Sequence, residues 1–372
     1  MGVLKHYIVK IEALSPIHIG SGEKIGKKEY IYLPWDHLVI IPDISKMYEA
    51  IRRKGYGTRF ENYMFKNNKD ALGVWLKNLG YQKKDYETWK RYELEAGDAL
   101  LAQDTRSREI MAFIKDPYGM PYVPGSSLKG MFRTALLAWE VKKNPSAYAR
   151  IKEDIRRNAG LGSRNKVLDR EARQLEESAF HTLNRGESVK KNNAVCCNLS
   201  GLVVGDSRPL STENLVLTQK VDYSLDFKEK PIPIFREALI PGTKICFEVT
   251  IDTSICPYSM EDILAALEYF QKVCYDNFYS RFKRGTRESS VVWLGGGTGF
   301  LSKTVLYPIF GPEAYRITDS VFQATLGKRI YDTHKHQKYL GRKLAPHVCK
   351  CTKYRGELYD MGMGRIEVIK GN

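Results

Sequence analysis

Two glycine-rich segments, far apart in the chain, bring together the residue types that hold phosphate oxygens. Gly125-Ser-Ser-Leu-Lys-Gly130 follows Pro124 and opens an amphipathic run, and Gly295-Gly-Gly-Thr-Gly-Phe-Leu-Ser-Lys-Thr304 turns tightly near the start of the last quarter. Each sets backbone N–H groups beside small hydroxyls and a lysine, which suits an anionic oxygen cluster. The 372-residue chain carries 59 Lys and Arg against 43 Asp and Glu, a net charge of +16. The phosphate carrier that such a chain attracts is a nucleic acid, RNA or DNA, ahead of an anionic membrane.

Around these segments the candidate contacts are specific. Ser126 and Ser127 stand at a helix start, with Ser126 as N-cap, and Lys129 and Arg133 lie four apart on one helix face. In the second segment Gly296, Gly297 and Gly299 offer backbone N–H groups and Lys303 a point charge. A third loop, Ser15-Pro-Ile-His-Ile-Gly-Ser-Gly22, adds His18, Gly20, Ser21 and Gly22. Arg281, Arg284 and Arg287 form a basic run ahead of the second segment. Residues 328–355 carry nine Lys and Arg against the single acid Asp332, interleaved with Tyr331, Tyr339 and Tyr354, a pattern suited to a single strand with stacked bases. The competing explanation for each basic run is a solvated face.

Other chemistries fit less well. Gly297–Thr304 approaches a Walker A loop, but Ser302 replaces the glycine before the lysine and no long helix follows. Gly20, Gly22 and Gly26 miss the dinucleotide spacing by one position, with no crossover behind them. His18 has the side chain for general acid–base cleavage of RNA, since imidazole titrates near neutrality, but no partner base is visible, so the set of catalytic residues is read as empty. Asp104 and Asp116 are loop carboxylates near the first segment, equally without partners. The run His334-x-His336 to His347-x-Cys349-x-Cys351 is too tightly spaced for a zinc knuckle. No metal and no cofactor is expected. The seven cysteines, an odd number set partly in apolar runs, read as reduced and buried. The lack of an apolar signal core or of an 18-residue apolar stretch predicts a cytoplasmic protein with no membrane partner.

The elements that must position these residues follow from periodicity. His6–Leu14 and Lys244–Asp252 alternate as half-buried strands, and Glu29–Pro34 with Leu38–Pro42 reads as a hairpin. Residues 44–110 read mainly as an inserted helical segment, residues 110–116 as a strand, and Met260–Tyr275 as the clearest helix. The stretch 141–194 holds thirteen Lys and Arg against seven acids and is read as a partly mobile segment. These features divide the chain into 1–194 and 195–372. Strand, helix and strand in each half favour an α+β fold of ferredoxin-like, RRM-like βαββαβ units.

Taken together, Ser15-Pro-Ile-His-Ile-Gly-Ser-Gly, Pro124-Gly-Ser-Ser-Leu-Lys-Gly-Met-Phe-Arg and Gly295–Thr304 resemble the RAMP superfamily of CRISPR proteins. Their order resembles the fifth-protein family of the type III-A, or Csm, effector complexes. The resemblance implies two ferredoxin-like domains with helical insertions and a non-catalytic RNA-binding subunit capping the backbone at the 3′ side of the CRISPR guide RNA. It implies neighbouring backbone subunits as partners, host nucleases recruited for 3′-end trimming during guide-RNA maturation, and a place in antiviral defence. The alternative within the same fold is a metal-independent endoribonuclease that processes precursor CRISPR RNA through His18.

Overall fold

The computed structural model describes residues 3–66, 70–99, 109–162 and 166–371, so Asp104 lies outside the described residues. Along the chain, β1 (Leu4–Ala13), β2 (Gly20–Ile25), β3 (Ile31–Leu33) and β4 (Leu38–Pro42) precede four short helices. Next come β5 (Lys90–Glu95), β6 (Ile110–Phe113), the long helix Gly125–Lys143 and two further helices. The rest of the chain contributes β7 (Leu202–Val204), β8 (Leu215–Ser224), β9 (Glu229–Leu239) and β10 (Lys244–Asp252). The helix Met260–Asn277 then leads to β11 (Val291–Trp293), β12 (Val348–Tyr354), β13 (Glu357–Asp360) and β14 (Met363–Lys370).

The fold is α+β, with two sheets. A five-stranded sheet runs β11-β14-β1-β10-β7 with every neighbour antiparallel. Its centre is β1, whose Tyr7, Val9, Ile11 and Ala13 are buried while Lys10 and Glu12 between them are only partly covered. That alternation is what a strand with one packed face requires. The packed face receives the two long helices, through Leu128, Phe132 and Leu136 of one and Ile263, Leu267 and Phe270 of the other. A capping box between Ser259 and Asp262 fixes the start of the second helix.

The nine-stranded sheet follows a different order, β2-β6-β9-β8-β5-β4-β3, with β12 on the far end of β8 and β13 beyond it. Two of its pairings, β5 with β8 and β6 with β9, are parallel. Both sheets take strands from either side of residue 195, because each edge of β1 is covered by a strand from the last third of the chain.

Two sequence expectations need correcting. The helical segment ends at Thr88 and not near 110: Lys90–Glu95 is a strand whose Tyr92 and Leu94 point inward. The four helices between 44 and 88 close over their own apolar cluster, which includes Met47, Phe60, Leu72, Leu76 and Trp89. Ser126 is not the N-cap either. Pro124 caps the helix without a side-chain bond, and Gly125 is pressed so tightly against β7 that a Cβ there would lie 2.2 Å from the Val204 carbonyl. The stretch 141–194 holds the helices Ala149–Asn158 and Asp169–Phe180, which bury Ile155, Leu175 and Phe180 in the main core.

Candidate nucleic-acid interface

The chain leaves β11 through Gly295, Gly297 and Gly299, with φ of 86°, 85° and 96°. Those left-handed angles favour glycine. Gly295 is further constrained, since a Cβ there would lie 2.3 Å from the His18 carbonyl oxygen. The Gly296 N–H donates to that oxygen at 2.7 Å, which docks the glycine loop on the His18 loop. Thr298 and Ser302 pair their hydroxyls at 2.7 Å and brace the turn. Across from this pair of loops stands the start of the helix Gly125–Lys143. Together they form an open cleft lined by Gly20, Ser126, Ser127, Gly296, Thr298 and Lys303. The structure thus unites members of all three loops.

His18 lies behind Gly20 and Gly296, 4% exposed. Its Nδ1 lies 2.6 Å from the Glu237 carbonyl, which can only accept, so Nδ1 carries the proton and Nε2 the lone pair. Burial pulls its pKa from the usual 6.5 down to about 4; the bond to the Glu237 carbonyl opposes this, and Arg236, Lys115 and Lys303 reinforce it. The ring is neutral near pH 7 and has no proton at Nε2 to give a leaving group. The side chain of Glu237 lies fully buried, accepting from Tyr92 Oη at 2.6 Å, Phe113 N–H at 2.7 Å and Lys115 Nζ at 2.5 Å. It ties β5, β6 and β9 together directly behind the histidine.

Sequence reasoning missed most of the cations gathered here. Arg236 of β9 is half-buried, and a Cβ on Gly297 would lie 3.1 Å from its Nη1. Among the described residues it has neither an ion-pair nor a hydrogen-bond partner for its guanidinium, and burial lowers its pKa. Lys220 of β8 is lowered by burial and then by Lys350 and Arg236. Lys350 of β12 pairs with Asp222 at 2.8 Å and flanks Gly299. Cations crowded at this depth with one shared carboxylate leave positive charge that an incoming anion would neutralise. Arg236 and Lys220 stand singly on alternating strands, so no local run announces them, while Lys350 falls within the basic tract 328–355.

The remaining candidates lie elsewhere. Lys129 is half-buried beside Cys197 and Cys256 and does not line the cleft. Arg133 is paired with Glu176 at 2.6 Å and lies over the Phe180 ring. The Gly125 N–H donates to Asp206 Oδ1 at 2.8 Å, so the helix start already holds a carboxylate of the chain itself. Arg284 is fixed on Asp360 at 2.9 Å and on the Leu358 carbonyl at 2.7 Å. Arg281 donates to the Arg342 carbonyl, and Arg287 lies exposed over Tyr275. Ser21 closes its own turn by accepting from the Glu23 N–H, with Gly22 at φ 89°. Asp116 is engaged by the N–H groups of Tyr118 and Met120. In the basic tract Tyr331 and Tyr354 are buried, and Tyr339 stacks on His347, so these rings serve packing.

The family model described as the RAMP superfamily matches residues 10–302, most of the chain. The chain belongs to the RAMP superfamily. Two relatives of this RAMP chain carry the name CRISPR system Cms protein Csm5. One, from Mycobacterium tuberculosis, is 28% identical over 395 residues, covering 98% of both chains. The other, from Streptococcus thermophilus, is 27% identical over 305 residues and covers 78% of each. Among solved structures, a chain of a Csm–crRNA–target RNA ternary complex of a type III-A CRISPR-Cas system aligns with a TM-score of 0.64. It shares 19% identity and covers 97% of this RAMP chain and all of its own. The crystal structure of T.onnurineus Csm5 aligns with a TM-score of 0.52 at 20% identity, covering 96% and 99%. No helix among the described residues is long and apolar enough to cross a membrane.

Proposed function

We propose that this RAMP chain is the guide-RNA-binding cap subunit of a type III-A CRISPR effector complex, at the 3′ side of the RNA. It sits against neighbouring backbone subunits and supports guide-RNA maturation with recruited host nucleases. The relatives named Csm5 support the assembly, and so does the fold shared with a chain of the ternary complex. The observation that carries the RNA contact is Arg236: a half-buried guanidinium with no acid partner among the described residues, set against the Gly297 turn of the loop whose Gly296 and Thr298 line the cleft. Such a group is matched to a phosphate diester, which it can hold with two parallel hydrogen bonds. The order β14-β1-β10-β7, with the two long helices as crossovers, supports reading the smaller sheet as a ferredoxin-like βαββαβ unit.

The endoribonuclease alternative is disfavoured by the burial of His18, whose side chain does not line the cleft. Incubating the purified chain with labelled repeat RNA in EDTA separates the readings. The cap reading expects binding that weakens steeply with salt and no cleavage. Site-specific cutting abolished by His18→Ala would refute it.

A further inference from the structure

Behind the cleft, three metal-ligand side chains meet on one hairpin. Cys349 and Cys351 point inward from β12, and Asp360 ends β13 as the cross-strand partner of Cys351. All three are buried, and neither thiol is in a disulfide. Each Sγ lies 3.5 Å from Asp360 Oδ1, and the three donor atoms all fall within 4.8 Å of one another. A tetrahedral ion with metal–sulfur bonds of about 2.3 Å and metal–oxygen bonds of about 2.0 Å sets a sulfur–oxygen edge of about 3.5 Å. The donors therefore already stand at the spacing that such an ion would impose.

We propose that Cys349, Cys351 and Asp360 form a structural site for a tetrahedral divalent cation of the zinc class, with solvent completing the coordination. Two sulfur donors select against magnesium and calcium. The surroundings supply the outer support that such ligands need. Arg284 Nε donates to Oδ1 at 2.9 Å and the Gly285 N–H to Oδ2 at 2.8 Å, which orients the carboxylate and leaves Oδ1 a second lone pair. Charge balances as well. Two thiolates, one carboxylate, one guanidinium and a dication sum to zero, as buried groups require. The thiols would release their protons to solvent as the ion enters. His334, His336 and His347 are not in this donor set; they cluster by themselves, the rings of His336 and His347 4.4 Å apart.

The site has a consequence for the strand it pins. Lys350 lies between the two cysteines and faces the other way, onto Gly299. An ion here would hold the backbone that presents that lysine.

Full-length chain, reduced and stripped with chelator, is titrated with cobalt(II). The expected result is a near-ultraviolet thiolate-to-cobalt charge-transfer band with intense tetrahedral d–d bands, saturating at one equivalent per chain and bleached by zinc(II). Cys349→Ser and Cys351→Ser should each halve the charge-transfer intensity and weaken binding by about tenfold or more, the range for disturbing a metal site. The double variant should lose the band while circular dichroism shows an intact fold. The absence of a charge-transfer band at millimolar cobalt overturns the proposal. So does a charge-transfer band unchanged in the double variant, which would assign the metal to other cysteines, and so do d–d bands without a charge-transfer band, which would assign it to the histidines.

Discussion

Replacing Arg236 with glutamine is expected to move two observables in opposite directions. Its guanidinium is half-buried and has no carboxylate partner, so a phosphate held there gains charge-assisted hydrogen bonds of about 1.5–3 kcal/mol each against water. Glutamine retains one amide donor and much of the stem, which recovers part of that. A net loss of about 2 kcal/mol is expected, close to thirtyfold in Kd. The salt slope should shrink by about one counterion. The folded chain, by contrast, loses a partly desolvated charge that stands near Lys220. Its melting temperature should hold or rise, the signature of a residue kept for binding at some expense of stability. The assay is titration of labelled guide RNA at several salt concentrations, with thermal melts on the same samples. Lys129→Ala is the control. It is half-buried beside Cys197, Cys256 and Arg133, whereas Arg236 meets the Gly297 turn, so its effect should stay within about twofold. A lower melting temperature with unchanged RNA affinity in Arg236→Gln would refute the reasoning. Equal losses at Lys129 would move the RNA path to the other face of the helix.

Two further outcomes test the geometry. Gly295→Ala places a Cβ against the His18 carbonyl at φ 86° and should lower stability by about 3 kcal/mol or more, read by chemical denaturation. Gly130→Ala, with open space around it inside a helix, should stabilise by up to about 1 kcal/mol. For pH, His18 is neutral in the folded chain down to about 4 but takes a proton near 6.5 when unfolded. Between those values the unfolded chain binds more protons, so stability rises with pH across that window and is lost as pH falls through it. Melts from pH 7 to 4 should show that loss, and His18→Gln should flatten part of it.

What the sequence made legible follows from how locally each feature is determined. β1, β10 and the helix Met260–Asn277 announce themselves by periodicity, because one face of each meets the core along its whole length. β5 did not, since four of its six residues are charged and only Tyr92 and Leu94 carry the alternation. The glycine loop was readable because its turns need left-handed backbone, and glycine is the residue that supplies it. The cations were not. Lys129 and Arg133 do share a helix face, but whether that face meets the cleft or Glu176 depends on a helix forty residues away. Arg236 and Lys220 look like outward-facing positions on ordinary strands, and only the sheet order brings Arg236 to Gly297 and Lys220 near Arg236. Ser126 fits an N-cap by type, but the contact of Gly125 with β7, a tertiary fact, moves the cap two residues earlier, to Pro124.

The central place of β1 also sets a timetable. It leaves the ribosome well ahead of both its partners: one edge waits for Lys244–Asp252 and the other for Met363–Lys370. At the usual synthesis rates of about 5–20 residues per second, the strand spends tens of seconds with its backbone groups unmatched. Its core-facing side, Val9 and Ile11 above all, stays uncovered for that whole interval. A nascent chain so arranged is a client for holding chaperones, and slowing translation would lengthen the hazard in proportion.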